Sequence, residues 1–294
     1  MFSKPFEIND PNIQVKESPN STNLSFTITV LKSPERPVVF KMRTITDAIH
    51  FKCNVIVNKD VKVTIIEDWT NIINSPSVKF DLNVQIKSNS TCDWILLQHT
   101  STDTNLVFNR HISIDDNAHA NLYHFHFGAL TLSETISQHS AGVKASMNTS
   151  IVSKAINTQS FNFNCTHHSS HLHSDSSIDM RCINLDKSKL SIYGDLDLNP
   201  GSTKAVSKLS QKVLNLSNNT SITTLPALHI DTNDVEASHS CTIHNLDPND
   251  KFYLHSRGLS LTETTKLLMN GFIKTKIDEL KEIPHIQKSI ISYL

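Results

Sequence analysis

VKFDLNVQIK, residues 78–87, decides the fold class. Val78, Phe80, Leu82, Val84 and Ile86 alternate without a break with Lys79, Asp81, Asn83, Gln85 and Lys87. Successive side chains therefore go to opposite faces, one apolar and one polar, which is the pattern of a half-buried strand; an apolar helix face would need a period of 3.6. The same period recurs on both sides of this stretch. Upstream it runs through Val61, Val63 and Ile65, and earlier through Leu24, Phe26, Ile28 and Val30. Downstream it returns around Trp94–Gln98, Leu106–Ile114, Ala120–Phe127, Leu190–Tyr193 and Lys212–Leu216. Polar Asn, Ser and Asp segments separate these runs. Many short strands divided by turn residues point to a β-sandwich, a barrel or a β-helix. Hairpin-forming dipeptides are weak over this whole length, which favours a β-helix-like solenoid. Periodicity alone does not choose among the three.

The chain divides into three parts on this reading. Residues 1–45 are an N-terminal lead-in with one clear strand, preceded by a polar segment expected to be loosely ordered. Residues 46–246 form the β-helix body. Residues 247–294 form a small helical C-terminal domain. Asp247 and Pro248 supply an N-cap and a first-turn proline, and Gly258 a stop. Ser260 and Glu263 then match a capping box. Leu268, Phe272, Ile273, Ile277 and Leu280 follow at the spacing of an apolar helical stripe, expected in part to cap the end of the solenoid.

Composition narrows the function classes. Of 294 residues, 38% are hydrophobic and 19% charged, enough to bury a core, and the formal net charge is −1. That balance gives no reason to expect nucleic acid or an anionic membrane as a partner. The start, MFSKPFEINDPNIQ, has no apolar signal region, and no run of about 20 apolar residues occurs. Five cysteines, Cys53, Cys92, Cys165, Cys182 and Cys241, form no CxxC pair, and their number is odd, so reduced thiols and a cytoplasmic location are expected. The chain has no GxxxxGK[ST] loop to bind nucleotide and no GxSxG elbow. Asp115 with Asp116, and Asp195 with Asp197, bear on a polysaccharide-cleaving reading, since glycosidic chemistry needs two carboxylates at a set separation. Acidic residues in turn-rich coils are usually solvated, so this is the lesser reading. The stretch Cys165-Thr-His-His-Ser-Ser-His-Leu-His173 is rich in metal-ligand types but fits no zinc-finger spacing. On a continued strand, His171 and His173 would share one face while His168 points away.

Residues 225–280 carry the most specific signal. Leu225, Pro226, Asp234, Val235, Ser238, His239 and Thr242 are followed by Phe252-Tyr253-Leu254, Ser256-Arg257-Gly258-Leu259 and Gly271-Phe272. This order strongly resembles the most recognisable stretch of the SufB/SufD family of iron–sulfur cluster assembly proteins. A weaker likeness extends upstream through 165–173 and 193–204. The resemblance implies a right-handed parallel β-helix with a helical C-terminal domain, and no bond-making catalysis by the chain itself. It implies a non-catalytic scaffold that pairs with a SufB-like partner and docks a SufC-type ATPase, with a transient iron–sulfur cluster shared with the partner. ATP-driven closure of the ATPase subunits would then expose the interior site where the cluster is built. Where SufB proteins place a scaffold cysteine, four residues after the strand proline, this chain has Ile230, as in SufD. A homodimeric SufB-type scaffold is the alternative. The histidine that SufD brings to the interface falls on His239. Cys241, two residues on, shares its face on a strand, and thiolate is the preferred iron–sulfur ligand. In departures from the family pattern, Ala237 stands where a cysteine often does, and Ser240-Cys241 replaces Gly-Ala. By the same resemblance Phe252, Tyr253, Arg257, Gly258, Leu268 and Phe272 belong to the ATPase-docking unit. Arg257 is expected to tie the helices together by hydrogen bonds to carbonyls or a carboxylate.

Overall fold

A computed structural model describes residues 6–7, 10–20, 23–42, 49–70, 76–246 and 248–294. Its body is two nine-stranded sheets facing each other. In chain order the strands are β1 (Phe6–Glu7), β2 (Ile13–Asn20), β3 (Asn23–Val30), β4 (Val38–Met42), β5 (Ile49–Val57), β6 (Lys62–Trp69), β7 (Ser77–Ile86), β8 (Thr91–Thr100) and β9 (Asn105–Ile114). They continue as β10 (His119–Gly128), β11 (Thr131–Ser140), β12 (Ser146–Ala155), β13 (Ser160–Ser169), β14 (Asp175–Asn184), β15 (Lys189–Leu198), β16 (Val206–Asn215), β17 (Ser221–Ile230) and β18 (Glu236–Asn245). From β4 onward the even-numbered strands stack in one sheet and from β3 onward the odd-numbered ones in the other, every neighbouring pair parallel. The chain therefore crosses from sheet to sheet at each turn, and the fold is a parallel β-solenoid.

The alternation in residues 78–87 is realised as read: β7 buries Val78, Phe80, Leu82, Val84 and Ile86 and turns its polar residues out. The lead-in departs from expectation. Its residues 13–20 are not loose but form β2, which pairs antiparallel with β3, and β4 already belongs to the second sheet. Asp10 anchors the start of this hairpin through its Oδ1, which accepts Asn12 N–H at 2.8 Å.

The corners explain the repeat. Asp60, Asn89, Asn117, Lys144, His173 and Lys204 occupy the same corner of successive coils, all at positive φ. Each turns its backbone N–H along the solenoid axis: Asn117 donates to Val143 O at 2.9 Å, and Lys144 to Leu172 O at 3.0 Å. Coils are thus linked at their corners as well as along their strands, which satisfies turn backbone that would otherwise be stranded.

The interior changes character along the axis. Early coils hold a ring stack in which Phe51 meets Phe80 at 4.6 Å and Trp69 meets Phe108 at 4.9 Å. In the later coils Gln138, Ser140, Thr149, Ser153, His167, Ser169 and Gln211 occupy interior positions and are buried.

Three helices follow: α1 (Pro248–Ser256), α2 (Leu261–Asp278) and α3 (Pro284–Tyr293). Asp247, read as an N-cap, lies outside the described residues. Gly258 sits at φ +88, the left-handed stop that glycine makes without strain. Ser260 and Glu263 form the reciprocal capping box of α2. The expected stripe is also present, but its partner differs. Met269, Ile273, Ile277, Ile286 and Ile290 pack on Ile95, Leu97, Phe125, Phe127, Val152 and Ile183, on the outer face of the even-numbered sheet. Arg181 fastens α2 there, donating to Phe272 O at 3.0 Å and Thr275 Oγ1 at 2.7 Å. The helices therefore do not cap the last coil, because the apolar outer face of β8, β10, β12 and β14 takes up their stripe. Among the described residues no helix is long and apolar enough to cross a membrane.

Candidate functional site

With the helices on its flank, the solenoid ends open. The terminal strand of one sheet is β17 and that of the other is β18. Leu225, Ile230 and Ile243 are 57%, 43% and 43% exposed. An uncovered pair of edge strands is an adhesive surface, which proteins normally blunt or cover. Pro226 lies within β17, opposite Gly194, at a position only an edge strand accommodates.

The two residues singled out as cluster-facing lie on this end. His239 pairs with the buried Leu209, and Cys241 with the buried Gln211, so both side chains continue inward-facing columns. Both are exposed, and among the described residues no further coil covers them. Cys241 Sγ lies 2.8 Å from Thr224 Oγ1, which comes from the facing sheet. Thiolate is the usual ligand of iron–sulfur clusters, and imidazole replaces it in some of them.

The residues assigned to docking fall on two sides. Phe252 and Tyr253 are 75% and 56% exposed on α1, with Leu261 and Leu267 of α2 also exposed. Leu268 and Phe272 instead pack towards the β body. Arg257 places its guanidinium over the Tyr253 ring, 5.3 Å from the centroid, an aromatic contact within α1 and the residues just after it. Gly258 has open space where a Cβ would go.

The His-rich stretch does not converge. Cys165 and His167 are interior, His168 faces out and meets Asp197 at 2.9 Å, and His171 and His173 lie in the turn beyond β13 instead of sharing a strand face. The carboxylates are spoken for. Asp195 accepts from Tyr193 OH at 3.2 Å, Asp115 lies 3.6 Å from Lys87 Nζ, and Asp116 Oδ1 accepts Val143 N–H at 2.7 Å.

Sequence reading passed over the most concentrated polar cluster, inside the middle coils. Arg110 donates to both oxygens of Glu67 and, through Nε, to Glu134 Oε1 at 2.8 Å. His124 Nδ1 and His126 Nε2 meet the two oxygens of Glu134 at 3.0 and 2.8 Å. Trp69 and Trp94 donate their indole N–H groups to Glu67. Burial pushes the Glu134 carboxyl up, but the two imidazoles pull harder and hold it well below the usual carboxylate range. Burial pulls the His124 imidazole down, against the opposing pull of the Glu134 carboxylate. One signal in the sequence was available: Arg110 interrupts the apolar face formed by Leu106, Phe108, Ile112 and Ile114.

Comparison with known proteins bears on the open end and the body together. Residues 41–272 match the family model described as SUF system FeS cluster assembly, SufBD core domain. The iron–sulfur cluster assembly protein SufD of Bacillus subtilis is 33% identical over 94 residues, covering 32% of this chain and 21% of the relative. An iron–sulfur cluster assembly SufBD family protein of Synechocystis is 37% identical over 65 residues, covering 22% of this chain and 14% of the relative. The chain thus aligns with about a fifth or less of the length of these curated relatives.

Proposed function

This chain belongs to the SufBD family of iron–sulfur cluster assembly proteins, and from that premise we propose that it is a SufD-like, non-catalytic scaffold subunit. It works in the cytoplasm within a complex of the SUF type. Its open last coil pairs with a SufB-like chain, and a SufC-type ATPase docks on the exposed side of α1 and α2. His239 and Cys241 face the nascent cluster, which is cargo shared with the partner and not a resident cofactor. Nucleotide is bound by the ATPase and not by this chain.

The observation that carries this reading is the unsealed end. A solenoid needs its terminal coil covered, and here the helical unit lies elsewhere, leaving two edge strands that present an imidazole and a thiol. The exposed pair Phe252 and Tyr253 supports docking, since contiguous exposed aromatics on a small helical unit mark an interaction surface.

Anaerobic co-expression with SufB-like and SufC-like chains from the same source tests it, with iron and sulfide measured in the purified complex. His239→Ala is expected to lower both while the subunits stay together. An intact complex with unchanged iron and sulfide would remove His239 from the site. Absence of any complex would overturn the scaffold reading.

A further inference from the structure

We propose that His124, His126 and Glu134 form a binding site for a single divalent transition-metal ion of the zinc or ferrous class, inside the solenoid and separate from the open end. His124 and His126 are two residues apart on β10, so their side chains point to the same, inward side. Glu134 reaches them from β11 in the facing sheet. One ligand atom from each, all within 4.8 Å of one another, converges on one point. The nitrogen-to-oxygen separations, 3.0 Å to one Glu134 oxygen and 2.8 Å to the other, are shorter than the edge of about 3.4 Å that a tetrahedron with bonds of about 2.1 Å would have, so binding an ion needs the side chains to move apart by only about 0.5 Å. Two imidazoles and a carboxylate suit borderline ions; calcium and magnesium prefer all-oxygen shells.

Charge points the same way. Glu67 and Glu134, each 1% exposed, share the single guanidinium of Arg110, so the cluster holds two carboxylates against one permanent cation. A buried charge in excess is costly, and a cation bound to it removes the cost. The neighbouring groups also behave as a supporting shell: Arg110 Nε fixes one Glu134 oxygen, Glu67 fixes Arg110, and two tryptophan N–H groups fix Glu67. Among the described residues, His124 Nε2 and His126 Nδ1 have no hydrogen-bond partner. Both fully buried rings are therefore engaged through the nitrogen that faces Glu134. Four strand spacings, about 19 Å, separate β10 from β18, so this ion would not be the cluster cargo.

The test is to express the full chain in cobalt-supplemented minimal medium, so that metal can enter during folding, and to wash the purified protein with chelator. One cobalt ion per chain is expected, with a visible spectrum and X-ray absorption showing imidazole and oxygen neighbours. The ion should persist in His239→Ala/Cys241→Ser and in His171→Gln/His173→Gln, which remove end and surface ligands. It should be lost from Glu134→Gln, or bound at least ten-fold more weakly. Because that buried variant can fail to fold, wild type decides the matter independently. Folded wild type free of cobalt, or cobalt with sulfur neighbours, or cobalt lost with His239, would overturn the proposal.

Discussion

Arg110 and Glu67 meet across the solenoid interior in a two-pronged ion pair, Nη1 to Oε2 at 2.8 Å and Nη2 to Oε1 at 2.9 Å. Both side chains are 1% exposed, so water does not screen the pair. Two negative carboxylates, Glu67 and Glu134, depend on this one guanidinium, and their charges together raise its pKa against the effect of burial.

Removing the guanidinium leaves both carboxylates buried without it. Arg110→Met is expected to lose about 3–5 kcal/mol of stability, the usual effect of breaking a buried pair from one side. The double variant Glu67→Gln/Arg110→Met has one fewer stranded charge and is expected to be more stable than Arg110→Met alone. Urea unfolding followed by circular dichroism measures both, and a double variant as weak as the single would contradict the charge argument.

The open end gives the opposite expectation for stability. His239 and Cys241 are exposed and hold little of the fold together, so His239→Ala and Cys241→Ser should each change stability by no more than about 0.5 kcal/mol. Under the proposed function, iron and sulfide in the co-purified complex should nevertheless fall by more than half. A large drop in the unfolding midpoint would mean that the two residues are structural.

The helical unit separates docking from attachment. Ile273 is fully buried between α2 and the sheet, so Ile273→Ala should cost about 2–5 kcal/mol and loosen the helices. Phe252 is 75% exposed, so Phe252→Asp should leave the unfolding midpoint within error while reducing recovery of the ATPase in a pull-down. Equal ATPase recovery with wild type and Phe252→Asp would place docking elsewhere.

These residues also show what could be read without a structure. Strands with apolar inward positions, such as β7 and β9, announce themselves by period. The run from β11 to β14 did not, because Glu134, Gln138, Thr149, Ser153, His167 and Ser176 fill inward positions and the hydropathy contrast disappears. The corner residues at positive φ are Asp, Asn, Asn, Lys, His and Lys in successive coils, too varied to register as a repeat. Helix α2 was legible from its capping box. Helix α3 begins at Pro284 behind Ile283, which makes no side-chain cap, so a first-turn proline alone marks its start. For the candidate site, residue order placed His239 and Cys241 on one face. That the face ends in solvent follows from where the helices pack, a long-range outcome that local pattern does not contain.

His167 ties stability to pH. It is wholly buried on β13; its Nε2 lies 3.4 Å from Ser140 Oγ, and its Nδ1 has no partner among the described residues. Burial pulls its pKa down to about 3, and the nearby His168 and His139 add to the effect. The folded state therefore keeps the ring neutral, whereas the unfolded chain takes up a proton near pH 6.5. The sign follows: stability is full above pH 6.5 and falls as pH drops toward 3, by at most about 1.4 kcal/mol per unit from this group. His167→Gln removes the titration and keeps a hydrogen-bonding side chain of similar length. Unfolding free energies measured in urea between about pH 7.5 and 4.5 should decline more steeply for wild type than for His167→Gln. Parallel declines would show that the acid sensitivity of the fold lies in other groups.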